Sequence, residues 1–210
     1  MTGLRRAGDR ALLLETGDPQ TTVAVAEVLR DAALPVVEDL VPAASTVLVR
    51  VARGTDLDAF GRQVLDLAVA AEASDGGTHV HDELVIPVRY DGPDLADVSA
   101  ATGLSATEVI AAHTGTPWRA AFVGFAPGFA YLVGGDPRLT VPRRTQSRTS
   151  VPAGSVAMAG EYSAVYPRES PGGWQLIGTT DVTLWDESAQ PPAAIRPGRW
   201  VRFVDRRAGA

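Results

Sequence analysis

Four arginines, Arg138, Arg143, Arg144 and Arg148, fall within eleven residues of the segment PRLTVPRRTQSRTSVP, in a chain whose formal net charge is -6. A planar guanidinium can pair bidentately with a carboxylate or a phosphate, so the segment reads either as an anion-recognition loop or as a solvated surface loop. Pro142 and Pro152 stiffen its two ends, and a stiff loop loses less entropy when it binds.

Two glycine-rich strings flank this loop. GFAPGFAYL, Gly124 to Leu132, carries aromatics at 125, 129 and 131. Core packing explains those rings, but the Gly-Pro-Gly punctuation also turns the chain sharply and exposes backbone N–H groups. In ESPGGWQLIG, Pro171 suits the start of a turn, and Gly172 and Gly173 can take positive φ, which lets backbone approach a ligand or partner. Trp174 then begins a strand and either packs inward or floors a pocket. Ser170 has no base beside it in sequence, and a G-x-S-x-G elbow is absent.

The three histidines offer less. His113 follows Val109 and Ile110 at helical spacing, in a last turn where an imidazolium gains from the helix dipole. Spacing alone favours a structural role over acid–base work there. His79 and His81 share one face of a strand, a spacing that can hold a metal, but no third ligand lies nearby in sequence and no metal site is evident.

Composition narrows the chemistry further. The 210 residues include no cysteine and no lysine. Disulfides, thiolate nucleophiles, Schiff bases and a Walker-type phosphate lysine are therefore excluded from these residues. The acidic balance argues against general nucleic-acid binding. The segment DLADVSAATGLSATEVIAAH has the outline of a helix-turn-helix, but residues 105–113 contain no arginine to meet phosphates or bases. No apolar run approaches the roughly 20 residues that span a bilayer, and a cytoplasmic protein is expected.

Residues 1–78 read as a small α/β domain. ALLLE is a short apolar run; Val25, Val28, Leu29 and Ala32 mark a first helix. PVVEDL and STVLVRV are strand candidates, and Thr55 is placed to cap a second helix with Leu57, Phe60, Val64 and Leu67 as its stripe. One further strand would complete a ferredoxin-like split unit.

Residues 79–210 form the second domain. His79 to Tyr90 alternates as a half-buried strand, with Val80, Leu84, Ile86, Val88 and Tyr90 on one face. Asp94 is placed to cap a short helix ending at Gly103, and Ser105 with Glu108 forms a capping box for the next. The runs AAFVGF, FAYLV, SVAMA, SAVYP, WQLIG, DVTLWD and WVRFV, divided by Gly and Pro, then argue for an antiparallel β-barrel or sandwich, so the fold class is α+β.

In this order, GFAPGFAYL, DPRLTVPRR, VPAGSVAMAG and YPRESPGGWQLIG resemble one family, the B subunit of prokaryotic 5-oxoprolinase. It is also described as allophanate hydrolase subunit 1 and as the sporulation histidine-kinase inhibitor, and is akin to part of the urea amidolyase carboxyltransferase domain. The resemblance implies a cyclophilin-like barrel for the second domain. It also implies a C subunit as partner and a separate A subunit, with ATP used by the complex to open 5-oxoproline to glutamate. Whether ATP contacts this chain is left open by the resemblance.

The matching positions imply His113, Ser155 and Tyr166 as catalytic, and Arg143, Arg148, Phe125, Pro127, Gly128, Tyr131, Ser170, Gly172, Gly173 and Trp174 as substrate-binding. On that basis Arg143 and Arg148 hold a carboxylate or acyl phosphate, His113 assists proton transfer, and the Pro-Gly-Gly segment supplies donors to an oxyanion. The chain departs from the family pattern at Ser147, Ser150 and Arg199, and GEYSAVYP lacks the family's Gln-Thr-Gly run. Two other functions compatible with the resemblance are inhibition of a sensor histidine kinase and a carboxyltransferase-like role with carboxybiotin.

Overall fold

A computed structural model describes residues 3–73 and 83–206. The chain divides into two compact units, Met1–His79 and Val80–Ala210. His79, His81 and Val80 lie outside the described residues.

In the first unit, β1 (Gly3–Arg6), β2 (Ala11–Glu15), β3 (Val37–Pro42) and β4 (Thr46–Val51) form one antiparallel sheet in the order β1-β2-β4-β3. Helices α1 (Pro19–Asp31) and α2 (Leu57–Ala73) complete it. The strand that fills out the ferredoxin-like arrangement is β1, from the N-terminal side, and not one following α2. GLRR has no apolar alternation; it is a strand because it pairs with Leu12, Leu13, Leu14 and Glu15.

The core of this unit is the set of alternating residues Leu12, Leu14, Val47, Val49 and Val51, buried against Val25, Leu29, Phe60, Val64 and Ala68 of the helices. Each Val, Leu or Phe side chain among them contributes roughly 1.5–3 kcal/mol on full burial. Asp18 caps α1 by accepting from Thr21 N at 2.9 Å, ahead of Pro19 in the first turn. The α2 cap is Asp56, which accepts from Asp58 N and Ala59 N at 3.0 and 3.1 Å. The expected cap, Thr55, instead donates its hydroxyl to Ala52 O.

The second unit holds a seven-stranded sheet. Its strands are β5 (Glu83–Val88), β6 (Trp118–Val123), β7 (Ala130–Val133), β9 (Ser155–Ala159), β10 (Tyr162–Val165), β12 (Gln175–Thr179) and β13 (Trp200–Asp205), in the order β12-β9-β10-β7-β6-β13-β5. Arg89 and Thr179 exchange two backbone hydrogen bonds of 2.8 Å, which brings the two sheet edges together and closes a barrel. The β5–β13 pair is parallel, so the barrel is not purely antiparallel. A separate two-stranded ribbon joins β8 (Arg148–Val151) to β11 (Ser170–Gly172).

Ile86, Trp118, Leu132, Met158, Val165, Ile177, Val201 and Phe203 fill the interior, with Val98 and Val109 contributed by helices α3 (Leu95–Thr102) and α4 (Ala106–Gly115). The capping box of α4 is formed as expected: Ser105 N donates to Glu108 Oε2 at 2.8 Å, and Glu108 N donates to Ser105 Oγ. Helix α3 stops at Gly103 in the left-handed conformation. Asp94 stands at its start but makes no side-chain cap bond. DVTLWD is not a strand; it adds Leu184 to the core and forms one bridge, Trp185 to Ala193.

All five residues of SVAMA are buried, because β9 is covered on both faces. Val156 and Met158 point into the barrel, and Ala157 and Ala159 lie beneath an outer layer with Phe129, Tyr166, Trp174 and Leu176. That outer layer carries the glycine-rich strings.

Candidate functional site

The GFAPGFAYL segment is a compact loop held by Gly124 N to Phe129 O and Phe129 N to Ala126 O hydrogen bonds. Its three aromatics have different fates. Phe129 is buried, with ring centroids 5.1–5.7 Å from Tyr131, Phe125, Tyr166 and Trp174. Tyr131 stacks on Phe122 at 4.3 Å and is half-buried. Phe125 is 58% exposed and sits at φ 68. The left-handed region costs a non-glycine residue roughly 1–2 kcal/mol, so core packing does not explain Phe125. Pro127 is exposed, and Gly128 is buried against Leu184, Trp185 and Pro167.

Ser170–Gly172 is a strand and not a turn: Ser170 faces Val151 and Gly172 faces Arg148 in the β8–β11 ribbon. Neither Gly172 nor Gly173 adopts positive φ. Their need for glycine is space. A Cβ on Gly172 would lie 2.2 Å from the Tyr166 hydroxyl, and one on Gly173 would lie 2.7 Å from Ser147 Oγ. Trp174 is buried, and the Arg143 guanidinium lies 5.9 Å from its ring centroid.

The arginine segment is anchored on a carboxylate. Asp94, only 2% exposed, accepts from Arg144 Nη1 at 2.6 Å and Arg148 Nη2 at 2.7 Å through one oxygen. Its other oxygen accepts from Leu176 N at 2.7 Å. Burial alone would raise the Asp94 pKa; the hydrogen bonds from Arg148 and Leu176 and the charges of Arg148 and Arg144 outweigh it and hold the carboxyl below its ordinary range. Arg148, expected to meet a ligand directly, is thus held by protein through one nitrogen. Arg143 is exposed, and Arg138 folds back on Asp136 at 2.6 Å.

Of the expected catalytic residues, His113 lies elsewhere, while Ser155 is next to Tyr166, whose N–H donates to the Ser155 carbonyl at 2.9 Å. His113 is fully buried in the barrel interior, stacked on Phe203 at 4.3 Å, with Nδ1 2.7 Å from the Tyr90 hydroxyl and Nε2 2.8 Å from Ser163 Oγ. Each ring nitrogen thus meets one hydroxyl, which a neutral imidazole satisfies by donating through one nitrogen and accepting through the other. Burial pushes the His113 pKa down to about 3. It is neutral at physiological pH and walled off from the outer layer, so the geometry opposes its use as a proton carrier. Ser155 is buried and donates to Pro152 O at 2.8 Å.

Tyr166 does belong to the outer face. Burial raises its pKa and Tyr131 adds to that rise, while the charges of Arg143 and Arg148 act in the opposite direction. Ser170 donates to Arg168 O. The residues brought together are therefore Arg143, Arg148, Tyr166, Gly172, Gly173 and Trp174, continued by Phe129, Tyr131 and Phe125. Asp94 and Arg144 were missed as site residues. Among the described residues no His, Asp and Glu side chains cluster as a metal site.

The family model for the carboxyltransferase domain, subdomain C and D, matches residues 2–195, and the chain belongs to that family. It is 38% identical to the 5-oxoprolinase B subunit of Escherichia coli O157:H7, over 96% of this chain and 95% of that protein. A crystal structure of TTHA0988 superposes with a TM-score of 0.74 at 34% identity; the match covers 93% of this chain but only 40% of that one. The Kluyveromyces lactis urea amidolyase structure shares the fold, with a TM-score of 0.68 at 18% identity over 97% of this chain and 15% of that one.

Proposed function

We propose that this chain is the B subunit of an ATP-dependent 5-oxoprolinase, acting with C and A subunits to open 5-oxo-L-proline to L-glutamate. The observation that carries this reading is the end-to-end 38% identity with a protein named as that subunit. The site is compatible with a supporting role in the chemistry. Its outer face offers guanidinium groups, a phenol and aromatic surface, which suit a carboxylate-bearing ring. Ser155, buried and donating to Pro152 O, is not set up as a nucleophile.

In this reading Arg143 and Arg148 recognise the substrate carboxylate, and Trp174 orients Arg143 from beneath. ATP is a substrate of the complex, and its phosphate chemistry falls to a partner, because this chain has no lysine for a phosphate loop. Arg143→Ala tests the assignment in the reconstituted complex. Loss of one charge-assisted contact raises KM for 5-oxo-L-proline about tenfold with kcat little changed. An unaltered KM removes Arg143 from the site.

A further inference from the structure

We infer that Asp94 is the positioning residue of the arginine face, fixing Arg148 and Arg144 in orientation for an anionic group of the substrate. This rests on the reading of that face as the substrate-carboxylate site.

Asp94 stands at the start of α3, where an aspartate ordinarily caps, yet it makes no cap bond. Both of its oxygens are committed elsewhere. One is shared by Arg144 and Arg148, and the other is held by the Leu176 N–H on β12. The carboxylate is therefore locked to the barrel wall, and the two guanidinium groups are locked to the carboxylate. The backbone of the same segment is tied down independently: Arg144 N donates to Gly173 O at 2.8 Å, and Gln175 Nε2 donates to Pro142 O at 3.2 Å.

Asp94 does not exhaust its partners. A guanidinium has five N–H donors in a rigid fork, and fixing one nitrogen fixes the directions of the rest. Arg148 Nη1 and Arg144 Nε are buried and have no hydrogen-bond partner among the described residues. Those two nitrogens are closed to solvent, so an acceptor from outside the chain meets the exposed parts of the same side chains, which are 23% exposed for Arg148 and 30% for Arg144. Charge points the same way. Arg144 and Arg148 share the Asp94 carboxylate, and Asp97 adds a second one 3.9 Å from Arg144, while Arg143 stands over Trp174, so the cluster retains positive charge for an anion.

The test uses the reconstituted complex with 5-oxo-L-proline and ATP, reading KM and kcat separately. Arg148→Ala and Asp94→Asn are each expected to raise KM about tenfold with kcat changed less than about threefold, and the double variant to be no worse than Asp94→Asn alone, because Asp94 acts through the arginines. If Arg148→Ala raises KM and Asp94→Asn does not, the positioning role is overturned while the anion site stands. If neither moves KM, the anion site itself falls. Multiplying effects in the double variant also overturn the positioning role. Should Asp94→Asn fail to assemble, Asp94→Glu keeps the charge but lengthens the arm, and is expected to raise KM in a complex that melts like wild type; an unchanged KM overturns the inference.

Discussion

The carboxylate of Asp94 and the guanidinium of Arg148 meet at 2.7 Å across 54 residues of chain, on an aspartate that is almost wholly removed from solvent. Removing one partner of a buried pair leaves the other desolvated and uncompensated. Asp94→Ala, which strands two guanidinium groups and the Leu176 N–H, is expected to cost roughly 3 kcal/mol of barrel stability. Urea unfolding followed by tryptophan fluorescence measures it, since all four tryptophans lie in residues 80–210. A loss below about 1 kcal/mol, the range of a solvent-exposed pair, contradicts the anchoring role.

The His113 environment predicts a pH dependence of a definite sign. Its folded pKa is depressed to about 3 from an ordinary 6.5. Below about pH 6.5 the unfolded chain takes up a proton that the folded barrel refuses, so His113 makes stability fall by about 1.4 kcal/mol per pH unit as pH drops toward the folded value. His113→Phe removes that slope between about pH 6 and pH 4, leaving the carboxylate contributions. An equal slope in wild type and variant rules out a neutral buried imidazole.

Gly172 is expected to tolerate no side chain while Tyr166 keeps its hydroxyl. The Cβ of Gly172→Ala would sit 2.2 Å from that oxygen. Overpacking of this kind costs roughly 1–3 kcal/mol. In a Tyr166→Phe background the same change is expected to cost less, and a double-mutant cycle reads the difference. Additive effects show that the two residues do not press on each other.

Phe125 predicts a change in the opposite direction. Replacing it with glycine at φ 68 relieves backbone strain of roughly 1–2 kcal/mol, offset by the lost edge contacts with Phe129 and Tyr166. Thermal melting of Phe125→Gly is expected at or above the wild-type temperature. A clear fall means that the exposed ring carries more packing energy than its 58% exposure suggests.

Local signals were legible and distant ones were not. Ser105 and Glu108 read as a capping box because both halves lie in one turn. The alternation in ELVIPVRY marked Ile86 and Val88 as core because period two is a property of the strand itself. Asp94 looked like a cap for the same local reason, but its partners Arg144, Arg148 and Leu176 lie 50, 54 and 82 residues further on, and no spacing rule reaches them. Gly172 and Gly173 read as turn residues, since glycine placed for space looks the same as glycine placed for positive φ until Tyr166 and Ser147 are seen beside them. His113 was placed on its helix correctly, but its helical spacing cannot tell a barrel interior from an outer face.

As the proposed B subunit of a 5-oxoprolinase, this chain should be indispensable to turnover by the complex. Glutamate release from 5-oxo-L-proline and ATP by co-purified A, B and C subunits, with this chain withheld and then added back, tests it most directly. Turnover should fall to background without the chain and return on its addition. Turnover that persists in its absence, or that does not return when it is restored, contradicts the claim.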